Sequence, residues 1–110
     1  MAAFSEIIIE QGATFSTTLN VEDSVGTAIN LYAYTANSQM RKSYYSSTAY
    51  TITSNITGTA NGEITLSMTA ANTAALTAGR YVYDVKITSP SNVVTRVIEG
   101  IVTVLPSVTR

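Results

Sequence analysis

The sequence contains no cysteine, no histidine and no tryptophan. Without cysteine no disulfide, thiol nucleophile or iron–sulfur cluster can form, and without cysteine and histidine a zinc finger is excluded. A Ser–His–Asp or Cys–His catalytic arrangement is excluded as well. Of the seven carboxylates, Glu22 and Asp23 come nearest to a calcium loop, but the further ligands are missing. We therefore predict that the chain is not an enzyme and holds no cofactor and no metal.

Charged residues are also scarce. They make up 12% of the chain, about half the ~25% of an average soluble domain. The net charge is −1 and the six basic residues are spread along the chain, so there is no basic patch of the kind that binds nucleic acids. No apolar run approaches the roughly 18 residues of a membrane-spanning helix, and the N-terminus lacks the basic start of a signal peptide. These absences predict synthesis in a cytoplasm and no nucleic-acid or membrane partner.

Hydroxyl groups and apolar side chains are abundant instead. There are 18 threonines and 12 serines, and hydrophobic residues make up 45% of the chain, enough for the core of one domain over residues 1–110. Apolar and polar residues alternate with the period of two that is typical of half-buried strands. Strands are predicted at the isoleucine run 7–9 and over residues 13–21, 34–42, 49–57, 63–68, 80–88 and about 93–105.

The segments between these strands carry turn and cap signals. A turn is predicted over residues 22–27, and Asn61-Gly62 ends another with a strong hairpin signal. The alanine-rich run 69–78 breaks the alternation and predicts one or two helical turns with Thr69 as the N-cap. The residues predicted to close the end of the core from this segment are Ala71, Ala75 and Leu76.

The spacing of strands and turns predicts an all-β chain, an immunoglobulin-like β-sandwich of about seven antiparallel strands with one short helical turn near residues 70–76. A small barrel is the alternative, because strand spacing alone does not separate the two architectures.

The first and last strands carry apolar side chains on both parities, which a strand exposed on one face should not do. One interpretation is that the rest of the chain covers both faces. The other is that these strands pack against neighbouring copies or another protein, and the low charge favours burial in an assembly. The candidate interface residues in the terminal strands are Ile7, Ile8, Ile9, Val97, Ile101 and Val104.

A loop and a charged residue complete the candidates. The RKSYY run supplies Arg41, Lys42, Tyr44 and Tyr45 as a second candidate contact patch, beside the alternative of an ordinary exposed loop. Asp84 lies in the middle of a predicted strand, and we expect a structural cross-strand ion pair with Arg41 or Arg96.

Several short motifs follow one another along residues 7–105. They are a Q-G-x-T-F strand at 11–15, a strand like A-x-M-R near 37–41 with Ser38 at the first position, a Gly-x-hydrophobic strand at 62–68, a T-x-x-L-x-x-G-x-Y-x-Y-D-V segment at 73–85, and an R-x-x-x-G-x-V strand at 96–102. In this order they resemble the small immunoglobulin-like β-sandwich virion structural proteins of tailed bacteriophages, which are similar to the N-terminal domain of the phage baseplate upper protein.

The resemblance implies a non-enzymatic component of a phage particle, made in the cytoplasm of the bacterial host and located in the virion. Because no receptor-binding or coiled-coil segment follows in the sequence, a capsid decoration (cement) protein that packs between major capsid subunits is expected first. It would form homo-oligomers and gain stability for the shell by repetition. A small neck, tail or baseplate component is the alternative, and so is a host-surface module that binds carbohydrate or a receptor through Tyr44, Tyr45 and Tyr50.

Overall fold

The computed structural model describes residues 3–22 and 29–108, so the predicted turn over 22–27, with Asp23, lies outside the described residues except for Glu22. The described residues form eight strands and one short helix. Their bounds are β1 (Ala3–Phe4), β2 (Ile7–Glu10), β3 (Phe15–Asn20), β4 (Thr35–Arg41), β5 (Tyr50–Gly58), β6 (Glu63–Met68), α1 (Ala70–Ala74), β7 (Gly79–Thr88) and β8 (Val94–Leu105).

The strands form two layers that share β5. The front sheet places β1 and β2 beside β8, followed by β7, β4 and the first part of β5. The back sheet contains the rest of β5, then β6 and β3. The predicted all-β sandwich with a short helical turn is confirmed. The expectation that every strand is antiparallel is wrong for β1 and β2, which run parallel to β8, because the whole domain rather than a hairpin turn connects them.

One continuous core lies between the two layers. Its largest fully buried side chains include Tyr81, Met40 and Ile52 from the front sheet and Ile64 and Leu66 from the back sheet. The isoleucine run resolves into simple alternation, since Ile7 and Ile9 are buried and Ile8 is 59% exposed. The apolar run of β2 therefore has one core face and one outward face.

The apolar run of β8 has a different cause. Pairing with β7 shifts register between Val85 and Lys86, whose partners are Ile98 and Arg96. Val97 is the extra residue of this β-bulge, and both Val97 and Ile98 are buried. A bulge moves the inward side from one parity to the other, so Val97 is buried on one parity and Ile98, Val102 and Val104 are buried on the other. Ile101 and Leu105 are apolar residues of the outward side.

The segment between β1 and β2 lies close against a glycine of β8. The Ser5 amide donates to the Glu99 carbonyl at 2.9 Å, and the Tyr83 hydroxyl donates to the Ser5 carbonyl at 2.7 Å. A Cβ at Gly100 would stand 2.0 Å from the Ser5 carbonyl oxygen. Glycine is therefore required here by close backbone approach.

The helix α1 closes one end of the core. Thr69 caps it as predicted, since its hydroxyl accepts the Asn72 amide at 3.2 Å. The inward residues are Thr73 and Leu76, whereas Ala71 and Ala75 are exposed. The prediction for these two alanines is wrong because the turn points its i, i+3 pair inward, and the threonine satisfies its hydroxyl by hydrogen bonds.

Candidate interaction surface

The outward side of the front sheet, called the front face below, is the most distinctive surface of the described chain. The strand pairings set out three rows of outward residues two positions apart. The first row is Phe4, Glu99 and Asp84, the second is Ile101 and Val82, and the third is Ile8, Thr103 and Arg80. Side chains on alternate residues of paired strands point to the same side, so each row is a line of neighbours across the sheet.

Apolar side chains from β1, β2, β8 and β7 form a strip on the front face, and the exposed Glu6 lies between Phe4 and Ile8 along the edge of the sheet. Phe4 is 69% exposed, Ile8 59% and Leu105 42%, and Ile101 and Val82 beside them are partly exposed. Scattered exposed apolar residues are ordinary, but a contiguous patch marks a surface that other molecules cover. The apolar strip is therefore the set Phe4, Ile8, Val82, Ile101 and Leu105.

The predicted ion pair lies next to this strip. Arg96 Nε stands 3.5 Å from Asp84 Oδ2, and Arg96 Nη1 stands 3.9 Å from Glu99 Oε1. The three side chains are between about a third and a half exposed, so solvent screens the attraction and it contributes at most about 1 kcal/mol. Their main effect is to orient two carboxylates on the front face.

Arg41 has a different role from the one predicted as an alternative partner of Asp84. Its Nη1 donates to the Ser46 carbonyl at 2.6 Å, and its Nη2 donates to Gln39 Oε1 at 3.3 Å. The guanidinium therefore ties down the loop that follows β4.

Lys42 contacts the protein's own core. Its Nζ stands 4.5 Å from the centroid of the Tyr81 ring, the geometry of a cation–π contact. Tyr50 meets the same ring edge-on at 5.9 Å, and the Tyr81 hydroxyl donates to the Thr77 carbonyl at 2.8 Å. Burial raises the pKa of Tyr81, as it does that of Tyr83. Lys42 thus covers the end of the core while remaining exposed to solvent.

The two loop tyrosines do project. Tyr44 is 66% exposed and Tyr45 is 96% exposed. Tyr44 borders an open groove of about 270 Å³ that it shares with Gln39, Arg41 and Asp84. An aromatic ring beside planar hydrogen-bonding side chains can contact either a protein or a sugar.

Four of the ten predicted interface residues are not available to a partner. Ile7, Ile9, Val97 and Val104 are buried in the chain's own core, so their prediction as interface residues is wrong. Ile8 and Ile101 lie on the front face. Phe4, Val82 and Leu105 also lie on the front face and are not among the predicted interface residues. Alternation in β7 alone places Val82 on the outward side, whereas the outward position of Phe4 and Leu105 follows only once Ile7 and Ile9 are assigned inward and the bulge at Val97 is located.

The outward side of the back sheet has a contrasting chemistry. Thr65 lies 3.1 Å from Thr18 and 3.1 Å from Thr57, oxygen to oxygen. Among the described residues, Glu63 is the charged member of this threonine- and serine-rich face. Its hydroxyls already satisfy one another in part, so covering this face would desolvate few charges.

The described residues contain no cluster of three or more potential metal ligands. Within the same residues no helix has the length and apolarity needed to cross a membrane. The buried side-chain nitrogen and oxygen atoms that are described all have hydrogen-bond partners.

Comparison with models of protein families and with curated proteins found no match. Among solved structures, an internalin-like protein from Listeria monocytogenes is similar to the chain at 14% identity and a TM-score of 0.47. The similarity covers 94% of this chain and 28% of the other, so the chain spans less than a third of that protein's length. A likeness of this size leaves the function to be argued from the chain's own residues.

Proposed function

We propose that the chain is a non-enzymatic structural component of a tailed-bacteriophage particle. The observation that supports this most is the apolar strip, which a paired sheet holds in fixed positions on the front face. Rigid, partly apolar faces lose little conformational entropy when a partner covers them. The order of the sequence motifs supports a tailed-bacteriophage particle as the assembly, and the apolar strip supports contact with other proteins of that particle.

The composition of the surface fits burial in an assembly. Five large apolar side chains beside a small group of charges reproduce the apolar centre and polar rim of protein interfaces. The hydroxyl-rich back face can be covered at low desolvation cost. A decoration protein that packs between major capsid subunits is the first proposal, and a neck, tail or baseplate component is the second. In each case the location is the virion and the partners are other virion proteins.

Co-sedimentation with particles that lack this protein tests the proposal. The wild-type chain should bind, and a variant with Ile8→Asp and Leu105→Asp should bind at least about tenfold more weakly, since each buried aspartate would be desolvated. Tyr32→Ser removes an exposed tyrosine outside the strip and serves as the matched control. A wild-type chain that binds neither heads nor tails would contradict the proposal.

A second candidate function rests on Tyr44. Its exposed ring beside Gln39, Arg41 and Asp84 suits a pyranose, which stacks its apolar face on an aromatic ring and uses planar side chains for its hydroxyls. The test is a glycan array together with host adsorption. Tyr44→Ala should abolish any binding, and the absence of a glycan ligand with unchanged adsorption of the Tyr44→Ala and Tyr45→Ala variants would eliminate this candidate.

A further inference from the structure

The three rows of the front face are complementary to one another. The first row reads apolar, acidic, acidic (Phe4, Glu99, Asp84), and the third reads apolar, hydroxyl, basic (Ile8, Thr103, Arg80). The middle row has the apolar Ile101 and Val82 at its centre and the charged Glu6 and Arg41 at its ends. Each outer row lies about 7 Å from the middle row, which is two residues along a strand. The face therefore carries opposite chemistry at equal distances from its centre.

We propose that the partner on the front face is a second copy of this chain, docked face to face about a two-fold axis that crosses the strands at Ile101 and Val82. This rests on the proposed function, whose contact surface it assigns to a homodimer. A two-fold axis makes one patch serve both copies, so the patch must be complementary to itself. The row pattern meets that requirement.

Rotation about this axis places the first row of one copy over the third row of the other. Asp84 then faces Arg80, and Glu99 faces the Thr103 hydroxyl. Arg96 Nε stands 3.5 Å from Oδ2 of Asp84, and a carboxylate has about four lone-pair sites, so it retains capacity to accept from a second guanidinium. Charge complementarity of this kind fixes the register of a complex and excludes other registers.

The apolar side chains follow the same symmetry. Phe4 of one copy lies over Ile8 of the other, and the Ile101 and Val82 side chains of both copies meet at the axis. Two sheets packed face to face stand about 10 Å apart and keep their strands within about 30°. The exposed phenylalanine and isoleucine are long enough to fill such a gap.

The ends of the middle row carry the remaining like charges. Glu6 is exposed beside β2, and Arg41 pairs in register with Val82. Each would approach its own counterpart, but twisted sheets diverge away from the axis. Arg41 is in addition held toward Ser46. These charges belong to the rim, where solvent screens them.

A charge swap tests the inference with the full chain. Sedimentation equilibrium should show a dimer for the wild type, and Arg80→Glu or Asp84→Arg alone should weaken it at least about tenfold. The double variant with both changes restores opposite charges across the axis and should recover most of the lost affinity. Glu63→Lys reverses a charge on the back face and is the matched control. Circular dichroism verifies that each variant is folded.

Two outcomes would overturn the homodimer. One is a wild-type chain that stays monomeric up to about 0.5 mM, and the other is a double variant that is no better than the two single ones. A monomeric wild type that binds particles rejects this inference and leaves the proposed function standing. A wild-type dimer that shows the expected charge-swap behaviour but binds no particle supports the homodimer and rejects the proposed function.

Discussion

At Gly100 the addition of a single methyl group should cause an unusually large loss of stability. An alanine Cβ would overlap the Ser5 carbonyl oxygen and stand 3.1 Å from Tyr83 Cε1, so the backbone between β1 and β2 would have to move. Overpacking of this kind costs about 1–3 kcal/mol, and loss of the Tyr83–Ser5 hydrogen bond would add to it.

We expect Gly100→Ala to lower the free energy of unfolding in urea by about 2–4 kcal/mol. Gly58→Ala is the matched control, because the three atoms nearest to the new Cβ there belong to the Glu63 side chain. The carboxylate among them can turn away, and the Glu63 Cβ at 3.1 Å needs to move by only a few tenths of an ångström. Equal stability of the two variants would show that the backbone at Ser5 tolerates displacement.

The two buried tyrosines predict how stability responds to alkaline pH. Burial raises the pKa of Tyr81 and of Tyr83 above the ordinary value of 10.0, so the unfolded chain loses these protons first. Their contribution is therefore complete below pH about 10 and decreases as the pH rises from there toward the raised pKa values. In urea unfolding measured from pH 7 to 11, ionisation of these tyrosines should lower the free energy of unfolding only between about pH 10 and pH 11. The Tyr83→Phe variant should lose less free energy of unfolding over this pH range than the wild type. An identical loss would contradict the assignment of part of the decline to Tyr83.

At the scale of the element, the helix α1 is joined to the β2–β3 turn by one buried side chain. Thr73 Oγ1 donates to the Ala13 carbonyl at 2.8 Å and accepts the Gly12 amide at 3.1 Å. Gln11 reinforces the contact, since its Nε2 donates to the Leu76 carbonyl at 2.6 Å. The helix thus depends on specific hydrogen bonds as well as on burial.

Thr73→Val keeps the shape of the side chain and removes its hydroxyl. The Gly12 amide and the Ala13 carbonyl would lose this partner, which should cost about 2–3 kcal/mol. Thr51→Val in β5, where the side chain is exposed, should change stability by less than about 0.5 kcal/mol. Thermal unfolding of both variants measures the difference, and a stability loss at Thr73 no larger than that at Thr51 would refute this role.

The sequence predicted the positions of the strands better than it predicted which side of each strand faces the core. Period-two alternation located β3 to β7 within a residue or two, because each has one core face. It could not orient β8, since Val97 and Ile98 are both apolar and only pairing with β7 reveals the bulge. It could not identify Thr73 as a core residue either, because its burial depends on backbone partners 60 and 61 residues away.

At the scale of the whole molecule, β5 makes the two layers one body. Its first residues pair with β4 and its later residues with β6, so neither sheet can separate without disturbing the strand they share. The front face is consequently carried by a single rigid unit, a property that the sequence could not show. The candidate surface depends on this three-dimensional arrangement, since its rows combine residues from both ends of the chain.

The parallel pairing of β1 and β2 with β8 has a mechanical consequence. Tension applied between Phe4 and Leu105 pulls the paired strands in opposite directions along their own axes, so their ladder bonds carry the load together. Tension between Arg80 and Thr103, which are partners at one end of an antiparallel pair, breaks such bonds one after another. Because the chain has no cysteine, handles can be attached at cysteines introduced in either pair. Force spectroscopy should give the higher rupture force for the first pair, and equal forces would contradict this. We therefore expect the domain to resist force applied along the parallel β1, β2 and β8 strands and to yield more easily to force that separates β7 from β8 at one end.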